Sequence, residues 1–351
     1  MRLERRASVP PILYVAAPLA AVMVALLVSG ALIALAGAPV LEAYRRMAIG
    51  AFGSRLAITE TLTRATPLIL TGLAAAVAFR ARLWNIGAEG QFYIAALATA
   101  ALGGGASAGG LLPGPLLIPF LMICGAAAGA MLLLVPLGLR LRFGVDEVVV
   151  TLLLNFVVLL FVSMMIDGPL RDRMAFGWPQ SVRVSPEAAL PKLWQGTRLH
   201  IGLLVAVAMS VVVWIIQSRT AFGLEAKAAG FNPRAAAFAG VPIPKVLIGV
   251  ACLSGGLAGL AGAIEVMGVK GYVTTDLSPG FGYAGVVVAM LAALNPIGVV
   301  AASLFVAATF VGVDGMSRAL KVPSFIADVT VALSLLSVLV ALMLVNYRIR
   351  R

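Results

Sequence analysis

Charge is scarce in this sequence. Only 11% of its 351 residues are Asp, Glu, Lys or Arg, while 62% are hydrophobic. A soluble domain rarely exceeds half apolar, so membrane embedding is the simplest explanation. No polar block is large enough to form a separate soluble domain, and residues 1–351 read as a single integral membrane domain. There are two cysteines, Cys124 and Cys252, and both lie deep in apolar runs, which indicates neither a disulfide nor a metal site. The single histidine, His200, opens an apolar run without ligand-like companions and reads as an interfacial residue. A Walker A loop, a nucleophile elbow and a zinc signature are all missing. The chain therefore does not read as an enzyme, and no cofactor is expected within it.

What charge there is has one dominant sign, a net +12. The basic residues stand in ones and twos at the ends of apolar segments, with no basic face or aromatic platform. That placement fits topology signals and lipid headgroups and argues against nucleic acid. The N-terminus mimics a signal peptide, with "ALA" before Gly37 in the place of a cleavage site. Its apolar run from Pro11 to Ala38 is too long for a signal core, so an uncleaved first span is expected.

Runs long enough to cross roughly 30 Å of hydrocarbon recur along the chain. Ten spans are expected, at about 12–37, 63–80, 86–102, 115–139, 147–166, 199–217, 245–267, 281–294, 297–313 and 323–346. The expected fold is an all-α polytopic membrane protein with a core over 63–346. With ten spans both termini share one side, and 14 of the 26 Lys and Arg fall there. The basic pairs beside short turns are all on that side, which assigns both termini to the cytoplasm. The segment 38–64 then lies outside. So does 167–198, whose prolines and whose Trp178 and Trp194 suggest an ordered interfacial cap. "LTGLAAAVAF" (Leu70–Phe79) echoes "SGGLAGLAGA" (Ser254–Ala263), a sign of two loosely repeated halves. Gly125 with Gly129, and Gly255 with Gly259, are small-xxx-small patterns suited to close helix packing.

The stretch "LWNIGAEGQF" (Leu83–Phe92) puts an amide, a carboxylate and two glycines between apolar segments. A helix starting at Ile86 covers about 26 Å to Leu102, whereas one starting at Gln91 covers about 18 Å and falls short. Asn85 is thus expected as N-cap, with Glu89 in the first turns and Glu89 and Gln91 below the headgroups. A carboxylate at the helix centre costs roughly 2.5–3.5 kcal/mol on insertion scales, so Glu89 should face protein or water. Either these residues cap a hydrated turn, or they line a solute route. Asn155 lies mid-span in "TLLLNFVVLL", with Thr151 one turn earlier on the same face. Interhelical hydrogen bonding and pathway lining both suit it.

The loop 218–245 carries "NPRAAAFAG". Asn232 is a good N-cap, Pro233 suits the first helical position, and Gly240 supplies a stop. This predicts a two-turn helix with Phe238 as an apolar anchor and Arg234 as a rim charge. So short a helix is marginal alone in water. By itself it reads as a surface helix between spans.

"PLILTGLAAAVAFRARLWNIGAEGQFYIAA", "DEVVVTLLLNFVVLLFVSMMIDGPLRD", "AAGFNPRAAAFAGV" and "YVTTDLSPGFGYAGVVVAMLAALNPIGVVAASLF" occur in this order. Together they resemble the permease subunits of ABC importers of the ribose and branched-chain amino-acid class, with "NIGAEGQ" closest to nucleoside-type permeases. The resemblance covers most of the chain after the first span. One departure is Ala292, Ala293 and Leu294 before the Asn-Pro turn, where relatives often carry a Gly and a basic or polar residue.

The resemblance implies a bacterial inner-membrane permease that imports nucleosides or related ribose-containing solutes. It implies a cytoplasmic ABC ATPase that binds ATP and Mg, a second identical or homologous permease, and an external solute-binding protein. The helix at Asn232–Gly240 then becomes the coupling helix, and Asn85, Glu89, Gln91 and Asn155 line or shape the route. A proton-coupled secondary transporter, with Glu89 as the titrating group, is the alternative.

Overall fold

The computed structural model describes residues 2–5, 23–24, 27–31, 33–35, 37–104, 113–321, 329, 332–333, 336–337, 340 and 347–350. The first and tenth expected spans, 12–37 and 323–346, lie largely outside them. Long helices account for the described spans. Among the described residues, β1 (Arg2–Arg5) pairs antiparallel with β2 (Tyr347–Arg350) in a short ladder. These end segments lie beyond the apolar runs, where backbone groups without a helix take partners from each other. Packing divides the chain into two compact units, residues 1–61 with 304–351 and residues 62–303.

In the first unit, the stretch expected as an external connection at 38–64 is helical instead. Helix α1 (Val40–Phe52) is followed by α2 (Arg55–Arg80), whose start belongs to this unit. The charges that mark the stretch as a loop in sequence sit on one face of α1. Arg46 donates to the Glu42 carboxylate at 2.7 Å, one turn apart, while Leu41 and Phe52 are exposed. Ser54 caps α2 by accepting from the Ala57 N–H at 3.1 Å. Gly50 lies against Gly312 and Gly315, which belong to the last long helix, α11 (Pro296–Leu320).

The second unit holds α3 (Ala88–Gly103), α4 (Gly114–Phe143), α5 (Glu147–Asp167), α6 (Gly202–Arg219), α7 (Ala221–Phe231), α8 (Pro233–Phe238), α9 (Ile243–Glu265) and α10 (Phe281–Leu291). A π turn, Val266–Lys270, extends α9. Among the described residues, six helices are long and apolar enough to cross a membrane: α2, α4, α5, α6, α9 and α11. Helices α3 and α10, at 16 and 11 residues, are shorter.

Helices α3, α4 and α9 form the core. The glycine patterns meet as their spacing predicts: a Cβ on Gly129 would strike the Gly255 carbonyl, and one on Gly259 the Gly125 carbonyl. Pro67 in α2 and Pro119 and Pro136 in α4 sit inside their helices. In α2 the Thr71 hydroxyl donates back to the Pro67 carbonyl at 2.9 Å and to the Phe281 carbonyl at 3.0 Å.

Residues 168–201 form an irregular but tied segment. Ser181 and Val184 N–H groups donate to the Val273 and Gly271 carbonyls, and Leu190 to Met267, each at 2.9 Å. Within it the Gln180 amide, then the Met174 N–H, hold the Asp172 carboxyl below the usual aspartate range.

Candidate functional site: a polar junction and a capped rod

The polar stretch after α2 is a buried junction. Chain residues 83–87 leave the helix, and α3 begins only at Ala88, two residues later than the sequence predicts. Its N-cap is Gly87, not Asn85. Asn85 has a different task. Its Oδ1 accepts from the Gly87 N–H at 3.0 Å and the Gln91 amide at 2.8 Å. Its Nδ2 donates to Gln91 Oε1 and to Ser254 Oγ, both at 3.0 Å. Ser254 in turn donates to the Ala74 carbonyl at 2.7 Å, so α2, α3 and α9 are tied through one amide. The side chain serves the turn before the helix because the backbone there has no helical partners.

Asn155 and Thr151 face this turn from α5, as their one-turn spacing predicts. Asn155 accepts from the Gly90 N–H at 2.8 Å and donates to the Ile86 carbonyl at 2.9 Å and the Tyr283 hydroxyl at 3.2 Å. The Ile86 N–H reaches the Thr151 hydroxyl at 3.4 Å. Gly90 leaves little room here: a Cβ would stand 3.0 Å from Asn155 Oδ1, so α5 would have to give by a few tenths of an ångström. Interhelical hydrogen bonding is thus what Asn155 does in this structure.

Glu89 faces α10. Its Oε2 accepts from the Gly282 N–H at 2.6 Å, and the side chain is only 8% exposed. Beside it the Tyr93 hydroxyl donates to the Thr275 carbonyl at 2.7 Å and accepts from the Ser278 N–H at 3.1 Å. A carboxylate at the N-terminus of α10 is favoured by the free amides of that first turn. Asn85, Glu89, Gln91 and Asn155 therefore all lie buried around the start of α3, Asn85 bonded to Gln91 and Ser254, Asn155 to the backbone of residues 86 and 90, and Glu89 separately to α10.

Sequence reasoning missed Ser254, Tyr283, and the pair of Arg140 with Glu147, whose Nη1 and Oε1 stand 2.6 Å apart. Ser254 is a polar residue among glycines in an apolar run, so its signal was available. Tyr283 and Gly282 had none, since only the fold brings them to α3.

The second feature is the loop 218–245. The Thr220 hydroxyl caps α7 by accepting from the Gly223 N–H at 3.2 Å. Asn232 caps α8 by accepting from the Arg234 and Ala235 N–H groups, both at 3.1 Å, with Pro233 in the first position. Gly240 ends it at φ 89, in the left-handed region, with the Val241 N–H closing back onto the Ala236 carbonyl at 3.0 Å. Ala236 is buried, Arg234 exposed, and Phe238 97% exposed. Helix α7 packs closely beneath: Gly230 lies against the Arg80 carbonyl and Gly223 against the Ile216 carbonyl.

The chain's relatives carry transport names. A family model for branched-chain amino acid transport system / permease component matches residues 57–346. A glucose ABC transporter permease protein of Haloferax volcanii is 35% identical, with 99% of this chain and 93% of that protein aligned. A guanosine ABC transporter permease protein of Bacillus subtilis is 34% identical over 92% of each chain. A nucleoside ABC transporter permease protein of Lactococcus lactis is 33% identical over 90% of this chain and 88% of its own. No solved structure gives a significant match. A family match across most of the chain, joined to six spanning helices, makes this protein a member of the branched-chain amino acid transport system permease component family, and so an ABC transporter permease subunit.

Proposed function

We propose that residues 1–351 act as one inner-membrane permease domain of an ATP-driven importer for nucleosides or related ribose-containing solutes. The nucleoside and guanosine names of two relatives support the solute class; the glucose permease widens it to sugars. The chain needs no cofactor of its own in this reading. ATP and Mg belong to a cytoplasmic ABC ATPase, solute reaches the outer face on a binding protein, and a second permease completes the pathway. Ten spans place both termini in the cytoplasm, which the pairing of β1 with β2 supports by bringing the two ends together. The segment 167–198 then caps the outer face.

The observation that carries this reading is the rod α8. A six-residue helix capped at both ends, with Phe238 turned almost wholly outward, offers a partner an apolar anchor on a short, fixed rod. Because α7 packs on the end of α2 and on α6, a push on α8 moves spans directly. Asn232, Pro233 and Gly240 keep the rod rigid, Phe238 is its anchor and Arg234 its rim charge.

The route is shaped by two short helices. α10 covers only about 17 Å of depth. The start of α10 therefore stands well below the membrane surface, and there it meets the start of α3 through Glu89 and Gly282. Paired short segments in corresponding halves are where transporter sites form, which favours both a repeat and a pathway at Asn85, Glu89, Gln91 and Asn155.

The test is co-purification of the ATPase with the permease and with its Phe238→Asp variant. Loss of ATPase from a correctly folded variant is expected. Equal recovery would remove the coupling assignment.

A further inference from the structure

A cleft of about 550 Å³ opens between the end of α2, the end of α6, α7 and the turn before α11. Its charged lining consists of Arg80, Arg82 and Lys227, with no carboxylate among the lining residues. Among the described residues no ion pair neutralises these three. Arg80 is held in place by donating to Gln217 Oε1 at 2.7 Å, which leaves the rest of its guanidinium edge to face the cleft. Trp214 and Phe231, both partly exposed, form apolar walls. Arg82, at φ 52, and Ala293 and Leu294, at 49 and 60, are left-handed although none is glycine. These residues close the ends of α2 and α10, where Leu83 and Leu294 N–H groups return to the Ala78 and Ala289 carbonyls, and so fix the wall of the cleft.

The cleft continues an apolar path. Val207, Val211 and Trp214 recur at helical spacing along one exposed face of α6, and Ser218, the next on that face, lies in the cleft. We infer that this cleft binds the phosphate of an anionic phospholipid, with the acyl chains laid along that face of α6. Guanidinium and ammonium groups match a phosphodiester, the tryptophan suits the headgroup boundary, and basic pockets between spanning helices are known to hold anionic headgroups. The inference rests on the helices spanning a membrane and not on the solute or the ATPase, so it stands or falls separately from the coupling test.

The experiment uses the full chain purified in neutral detergent, titrated with phosphatidylglycerol or with phosphatidylcholine of the same acyl chains. Bound lipid is counted by native mass spectrometry. Wild type should prefer phosphatidylglycerol by at least about tenfold, and Arg82→Gln or Lys227→Gln should each weaken it about fivefold, with phosphatidylcholine unchanged. Arg82→Lys should keep the preference, as should Arg142→Gln, an exposed arginine off the cleft. Ser218→Glu, which leaves every cation intact, should abolish it. Equal binding of both lipids by wild type, or an undiminished preference in the Gln variants, would overturn the assignment. Displacement of phosphatidylglycerol by inorganic phosphate alone would give the cleft to a soluble anion, and displacement by an acidic peptide would give it to a protein partner; either result rejects the lipid.

Discussion

Asn155 shows how one side chain serves the fold at an irregular turn. It satisfies the Gly90 N–H and the Ile86 carbonyl where the chain lacks helical partners. Asn155→Leu strands both groups, and each buried unpaired group costs about 1–3 kcal/mol. The variant should therefore melt several degrees below wild type in a thermal unfolding assay, while an unchanged midpoint would show that water replaces the amide. Glu89→Gln makes the opposite case. The glutamine carbonyl can still accept from the Gly282 N–H, so the assembled importer should transport at every pH at which the chain is stable. A loss of transport restricted to the variant would instead favour a titrating carboxylate and the proton-coupled alternative.

At the scale of elements, the glycine seam between α4 and α9 fixes the core. Gly129→Val would drive a branched side chain into the Gly255 carbonyl and the Gly259 backbone, which cannot yield as a flexible side chain would. Expression of folded protein should fall sharply, as read by size-exclusion chromatography, whereas Gly138→Ala, with open space around it, should behave as wild type. The same seam shows what a sequence can reveal. Spacing places Gly125, Gly129, Gly255 and Gly259 at interfaces, and the caps of α8 follow from Asn232, Pro233 and Gly240, because both signals are local. The start of α3 is not local. Asn85 is as good an N-cap as any by residue type, but its Oδ1 is taken by the Gly87 N–H and the Gln91 amide, and its Nδ2 by Gln91 and by Ser254, 169 residues away. The helix α1 was hidden for another reason: its charges, arranged on one helical face, look like a loop when read along the chain.

For the molecule as a whole, the second unit joins a buried polar junction to an exposed rod through α7 and the end of α2. In the coupling proposal, the power stroke arrives at the exposed Phe238. The polar junction of the second unit is built from directed hydrogen bonds. The lipid cleft lies where α7 meets α2, so headgroup occupancy would bear on the same joint that transmits the push.

The most direct measurement is solute accumulation in sealed proteoliposomes. With this chain, its partner permease, the ATPase and the binding protein present, nucleoside should concentrate in the vesicles only when ATP reaches the ATPase side, and Phe238→Asp should abolish it. If vesicles containing this chain alone accumulate solute under a proton gradient without nucleotide, the protein is its own engine, and the coupling account is wrong.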